Sequence, residues 1–190
     1  MAIKKTRKAT ARIGSLDLSE IEVGPDIHLN MLIHGLSGVG KTRLMGSAQK
    51  YEPTSPILVL DIEGGTTSIG GAGIKIVRPQ NFNEIQDIYD YLRFDNTTYR
   101  SVGVDSLTEM QKKLSMGDIM GDLLENAAYT NLASHTPPDR YDWLQSSEQM
   151  RRFIRAFKDL AYLPEVDRRI HVIFTALSRA DEKTSTVCPS

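Results

Sequence analysis

The stretch that decides the fold is His28-Leu-Asn-Met-Leu-Ile-His34, followed at once by Gly35-Leu-Ser-Gly-Val-Gly40-Lys41-Thr42. The first part reads as a short buried strand, and the second matches G-x-x-x-x-G-K-[ST] in full. Its three glycines let the backbone curl until several N–H groups converge on one phosphate cluster. The helix expected from Lys41 to Tyr51, stopped by Pro53 and Pro56, adds its positive N-terminal end. Lys41 brings a point charge for the β- and γ-phosphates, and the Thr42 hydroxyl is a ligand for Mg²⁺. The expected nucleotide-binding residues are therefore Gly35, Leu36, Ser37, Gly38, Val39, Gly40, Lys41, Thr42 and Arg43, with ATP and Mg²⁺ as cofactors. A glycine turn that merely joins two elements is the competing reading, and a complete motif between a strand and a helix argues against it.

Outward from this loop, strands and helices alternate. Ile57 to Ile62 is an almost continuous β-branched and leucine run, suited to a central parallel strand covered on both faces. Glycines at 64, 65, 70, 71 and 73 mark a loop, and Ile74 to Val77 reads as a short strand. Ile85, Ile88, Tyr89 and Leu92 form the stripe of an amphipathic helix. Ser101 to Asp105 is the next strand, followed by a helix through Leu107, Met110 and Leu114. Residues 125–142 read as a long connection. Met150, Phe153, Ile154, Phe157, Leu160 and Ala161 make the clearest helical stripe, and His171 to Thr175 is the last strand. This alternation predicts a mostly parallel sheet with helices on both faces, a three-layer α/β fold whose ligands sit at the carboxyl ends of the strands.

Composition narrows the class. The chain has 190 residues, 40% hydrophobic and 25% charged, enough for one α/β domain that folds without staples. A single cysteine, Cys188, cannot close an internal disulfide, so the cytoplasm is the expected compartment. No run approaches the length of a membrane span, no apolar segment follows the basic start as a signal peptide would require, and the histidines lack zinc-ligand spacing. Residues 1–27 are expected to be a basic flexible tail and lead-in, and residues 28–190 the domain itself. Lys4, Lys5, Arg7, Lys8 and Arg12 precede the first acid, Asp17; a solvated tail and a nucleic-acid-contacting arm both fit them.

Three further positions carry chemistry. Asp105 ends an apolar strand, where it either supports the Mg²⁺ shell or caps the following helix. Glu63 lies just past the Ile57–Ile62 strand. It is the candidate group for activating water near the γ-phosphate, against a plain loop acid. Asp61 alternates with Glu63, so the two share a side if the extended geometry continues; otherwise Asp61 positions a water or a loop amide. Thr175 is a candidate sensor of the γ-phosphate, or a hydroxyl that simply ends its strand.

With these stations in order, the chain resembles RecA-like ATPases, and most closely the phage-encoded branch tied to recombination and single-strand annealing. HGLSGVGKT stands as Walker A, LDIEGG as the acidic strand end, VGVDSLTEM as Walker B and VIFTALSRADE as the sensor strand. The resemblance implies that the Thr175 strand separates the Asp105 strand from the Gly35 strand. It implies ATP hydrolysis with catalytic Glu63, Lys41 and Asp105, assembly into rings or filaments, single-stranded DNA as partner, and the host cytoplasm as location. Two departures stand out. The edge strand expected after the sensor strand is missing before Ser190, and Thr175 replaces a glutamine. Arg179 and Lys183 are candidates for a cation supplied to a neighbouring subunit, or plain surface charges. In the 125–142 connection, His135, Arg140 and Tyr141 suit either a DNA-ordered loop or an ordinary one, and Trp143 is expected to pack beside the next helix. A small-molecule kinase lacks its Arg-rich lid here, and a GTPase lacks N-K-x-D. A nucleotide-gated assembly protein with little turnover stays open.

Overall fold

Every residue of the strand Ile57–Asp61 is buried, because apolar side chains leave it alternately toward both faces of the sheet. Leu58 and Leu60 enter one core, and Ile57 and Val59 enter another. A strand with this pattern belongs in the middle of a sheet covered on both sides. The structure is a computed structural model and describes residues 12–13, 16–17, 28–71, 73–120, 138–181 and 186–189.

The strands in chain order are β1 (Arg12–Ile13), β2 (Leu16–Asp17), β3 (Asn30–Gly35), β4 (Ile57–Asp61), β5 (Lys75–Val77), β6 (Ser101–Asp105), β7 (His171–Asp181) and β8 (Thr186–Pro189). Five of them form a parallel sheet in the order β3-β7-β6-β4-β5. The strand carrying Thr175 thus lies between the glycine-loop strand and the Asp105 strand, as the resemblance implies. Among the described residues β3 is an edge of this sheet.

Three details differ from the sequence reading. The sensor strand does not stop at Thr175 but runs on to Asp181, where β8 pairs with it antiparallel. A strand therefore does follow β7, as a hairpin return beyond the last β3 partner at Leu177 and not as a parallel neighbour of β3. Inside the expected tail, β1 and β2 pair antiparallel; the basic residues at 4, 5, 7 and 8 lie outside the described residues.

The helices are α1 (Lys41–Gly46), α2 (Phe82–Asp90), α3 (Leu107–Glu109), α4 (Met116–Met120) and α5 (Arg140–Asp159). On one face Met45 of α1 packs with Ile57, Val59 and Ile173. It comes so near that a Cβ on Gly103 of β6 would lie 2.5 Å from its sulfur, so any side chain there would force Met45 to shift. On the other face α2, the helical turns from Leu107 and α5 cover Leu60, Val104 and Phe174. Phe153 and Phe157, from the stripe read in the sequence, meet each other at 4.4 Å between ring centroids and reach Phe174 and Tyr89. Burying each such ring contributes about 1.5–3 kcal/mol.

Local capping sets where the helices begin. Asn81 accepts the Glu84 amide at 2.9 Å, while the Glu84 side chain returns to the Gln80 amide at 2.9 Å. Asp139 accepts the amides of Tyr141 and Asp142, and Asp142 accepts the Asp139 amide, a closed capping box. Helix α5 therefore begins at Arg140, and the expected connection ends sooner than 142. Arg140 and Tyr141 belong to a helical first turn, and Trp143 beside them is 44% exposed instead of packed away. His135 lies outside the described residues. No helix among the described residues is long and apolar enough to cross a membrane.

Candidate functional site

Parallel pairing brings the carboxyl ends of β3, β4 and β6 to one rim of the sheet, with Asp61 and Asp105 directly opposite each other. Gly35 ends β3 and opens the loop there. Gly38 and Gly40 take φ of 77° and 94°, the left-handed region that a side chain makes costly. A Cβ built on either would meet no atom within 4 Å, so it is the backbone that demands glycine while the space before the loop stays open. The amide of Leu44 donates to Gly40 O at 2.9 Å and starts the helix. Lys41 is only 8% exposed: its ammonium arches back and donates to the carbonyls of Gly35 at 3.1 Å and Leu36 at 2.9 Å. A positive charge thus stands at the loop mouth, where a triphosphate tail would lie.

Asp105 is fully buried and joins three strands' worth of machinery. Thr42 Oγ1 donates to its Oδ2 at 2.6 Å, and Thr175 Oγ1 donates to its Oδ1. With its proton committed to Asp105, the Thr42 oxygen retains lone pairs able to serve a cation. The donor set is hydroxyl and carboxylate oxygen only, which is the hard chemistry that Mg²⁺ accepts. The alternative role for Asp105, capping the next helix, is taken by Ser106, whose Oγ accepts the Glu109 amide. Thr175, buried in mid-strand, is bonded to Asp105 and does not end β7.

Glu63 sits where the chain leaves β4. The amides of Ile62 and Glu63 both donate to the Asp105 carbonyl, at 2.7 and 3.0 Å. Extended geometry stops at Asp61, so the alternation that would have put Asp61 and Glu63 on one side is broken. Glu63 is partly exposed, whereas the Asp61 side chain is 0% exposed. Asp61 accepts from the Gly64 amide at 2.7 Å, Thr66 Oγ1 at 2.6 Å and Arg78 Nε at 3.0 Å. Holding a loop amide was one of the two roles the sequence left open for it. Burial opposes its ionisation, but the bonds from Thr66, Arg78 and Gly64 outweigh that and hold the Asp61 carboxyl below the usual range. Lys113 pairs with Glu109 at 3.4 Å and donates to Ile62 O at 3.3 Å, bracing the same loop.

The structure therefore brings together Lys41, Thr42, Asp105 and Thr175, and ties the Glu63 backbone to them through Asp105. Arg179 lies in β7 opposite Cys188 in the β8 register, and Lys183 lies outside the described residues. Sequence reasoning missed Thr66, Arg78 and Lys113. For Arg78 the sequence held no signal: it lies just past the end of β5, and only the parallel register Leu60↔Val77 brings it beside Asp61.

A complete glycine loop after an edge β-strand, with one strand between it and a buried aspartate, defines a P-loop nucleotide-binding domain. A family model described as an AAA domain matches residues 27–187, and the chain belongs to that family of P-loop ATPases. No curated protein sequence matches the chain.

Proposed function

We propose that this chain is a Mg²⁺-dependent ATPase of the RecA-like kind, working on single-stranded DNA in phage recombination or strand annealing as a ring or filament. The observation that carries the enzymatic part is the double use of Asp105. Its carboxylate engages Thr42 of the phosphate loop, and its carbonyl engages the Glu63 amide. One residue thereby sets the distance between the nucleotide socket and the group suited to activate water. The DNA partner and the self-association rest on the resemblance of the four motifs.

In this reading the amides of residues 35–42 cradle the phosphates, and Lys41 balances charge on the β- and γ-phosphates. Thr42 and Asp105 would hold Mg²⁺, the latter directly or through water; the ion supplies further neutralisation of the phosphate oxygens. Glu63 orients a water molecule and takes its proton while the water oxygen bonds to the γ-phosphorus. The bond from that phosphorus to the bridging oxygen breaks, leaving ADP and phosphate. Thr175 keeps the Asp105 carboxylate from rotating away from Thr42.

The test is phosphate release from ATP, with and without Mg²⁺ and single-stranded DNA, on the wild type and on Glu63→Gln. Mg²⁺-dependent turnover stimulated by DNA and lost in the variant is the expected result. Transfer of phosphate to an added small acceptor would replace this reading with a kinase, and tight ATP binding with no turnover would replace it with a nucleotide-gated assembly protein.

A further inference from the structure

The segment from Asp61 to Thr66 is fastened at two places, and Glu63 lies between them. On the β6 side the amides of Ile62 and Glu63 hang on one carbonyl, that of Asp105. On the β5 side the buried Asp61 carboxylate gathers the Gly64 amide and the Thr66 hydroxyl, both beyond Glu63 in the chain. A carboxylate with no exposed surface needs a compensating charge, and Arg78 supplies it through Nε at 3.0 Å. Arg78 is itself 62% exposed on its side chain, so it is not there to fill a core.

We propose that Arg78 is a positioning residue for Glu63: its guanidinium locks Asp61, and Asp61 closes the turn that aims Glu63 across the rim of the sheet. This rests on the proposed role of Glu63 in hydrolysis. Arg78 touches neither the phosphate loop nor Thr42 among the described contacts, so the effect of losing it is confined to the chemical step. Without the guanidinium, the uncompensated carboxylate is drawn toward water, its bonds to Gly64 and Thr66 loosen, and the turn opens. Displacing a reacting group by about 1 Å costs up to ~100-fold in rate.

The experiment measures kcat for ATP hydrolysis and, separately, the Kd for a non-hydrolysable ATP analogue with Mg²⁺. It uses the full chain carrying Arg78→Ala, Arg78→Lys, Glu63→Gln and the Arg78→Ala/Glu63→Gln pair. Expected are a fall in kcat of about tenfold or more for Arg78→Ala with Kd within about twofold, recovery to within about threefold of wild type in Arg78→Lys, and little further loss when Arg78→Ala is added to Glu63→Gln. If Glu63→Gln abolishes turnover while Arg78→Ala runs at the wild-type rate, the positioning role is overturned and the hydrolytic reading stands. A matched loss of affinity in Arg78→Ala, or an undiminished effect in the Glu63→Gln background, also overturns it. Wild-type turnover in Glu63→Gln overturns both readings together. Should Arg78→Ala fail to fold, as its thermal melt would show, Thr66→Val removes a second donor from Asp61. It is then judged by the same split between kcat and Kd, in both Glu63 backgrounds.

Discussion

Two strand ends at one rim of the sheet are built in opposite ways. The loop after β3 is a backbone device: glycines with positive φ, amides and a helix start, all within residues 35–42. The loop after β4 adds side chains to its backbone bonds: besides the Asp105 carbonyl and Gly64 at φ 85°, it needs Asp61, Thr66, Arg78 and Lys113 to hold the bend that carries Glu63. The first loop fails through steric strain or loss of its one cation. A side-chain device can be loosened one bond at a time and answers to acid. The contrast predicts that binding and turnover in this molecule are separable by mutation.

The largest expected effect falls on the first loop. Lys41→Ala removes the cation at the loop mouth and should weaken Mg²⁺–ATP binding by about 100-fold, roughly the 2–5 kcal/mol of a lost partner in a desolvated charge pair. Titration calorimetry checks it, and unchanged affinity would remove the socket on which everything else stands. Next comes the residue shared by both loops. Asp105→Ala leaves the Thr42 and Thr175 hydroxyls without their acceptor and should cost about 1.5–3 kcal/mol of stability. Denaturant unfolding would read this, together with loss of Mg²⁺-dependent turnover. Because Ile62 and Glu63 are bonded to its carbonyl, the second loop should keep its place.

Smaller again is Gly40→Ala, where a φ of 94° imposes strain on any other residue. About 1–2 kcal/mol of stability should go, with the thermal midpoint falling accordingly. A shift of zero would mean that this loop, too, can be re-formed by side chains. The smallest effect separates the loops by pH. The folded pKa of Asp61 lies below that of an unfolded aspartate, so its contribution is complete above the unfolded value and is lost as pH falls through the folded one. Asp61→Asn should flatten the acid limb of a stability-against-pH curve while leaving its shape near neutrality. A limb as steep as wild type would show that the carboxylate is not the acid-sensitive fastening.

The same contrast explains what could be read in advance. The 35–42 loop was legible because its parts are adjacent in sequence and each has one physical reason to be there. The sheet followed, since Ile57–Leu60 is apolar on both faces, Val102 and Val104 mark the next strand, and the stripe from Met150 to Leu160 could only face a core. The Asp105 position was found by its strand end, but not its two fastenings, since a spacing cannot show that Thr42 and the amide of Glu63 meet at one residue. Arg78 was invisible for a different reason. It lies 17 residues from Asp61, and only the register of two parallel strands makes them neighbours. The start of α5 was misplaced because Pro137 and Pro138 suggested a longer connection, while the Asp139–Asp142 box that begins the helix is polar and carries no apolar periodicity.

One feature of β7 has mechanical meaning. Its first seven residues pair with β6, with β3 or with both, and Thr175 among them is bonded to Asp105; its last four pair with β8, and Ser178 Oγ also meets His34 Nδ1 of β3 at 3.0 Å. The strand is a cantilever rooted beneath the carboxylate at the centre of the site.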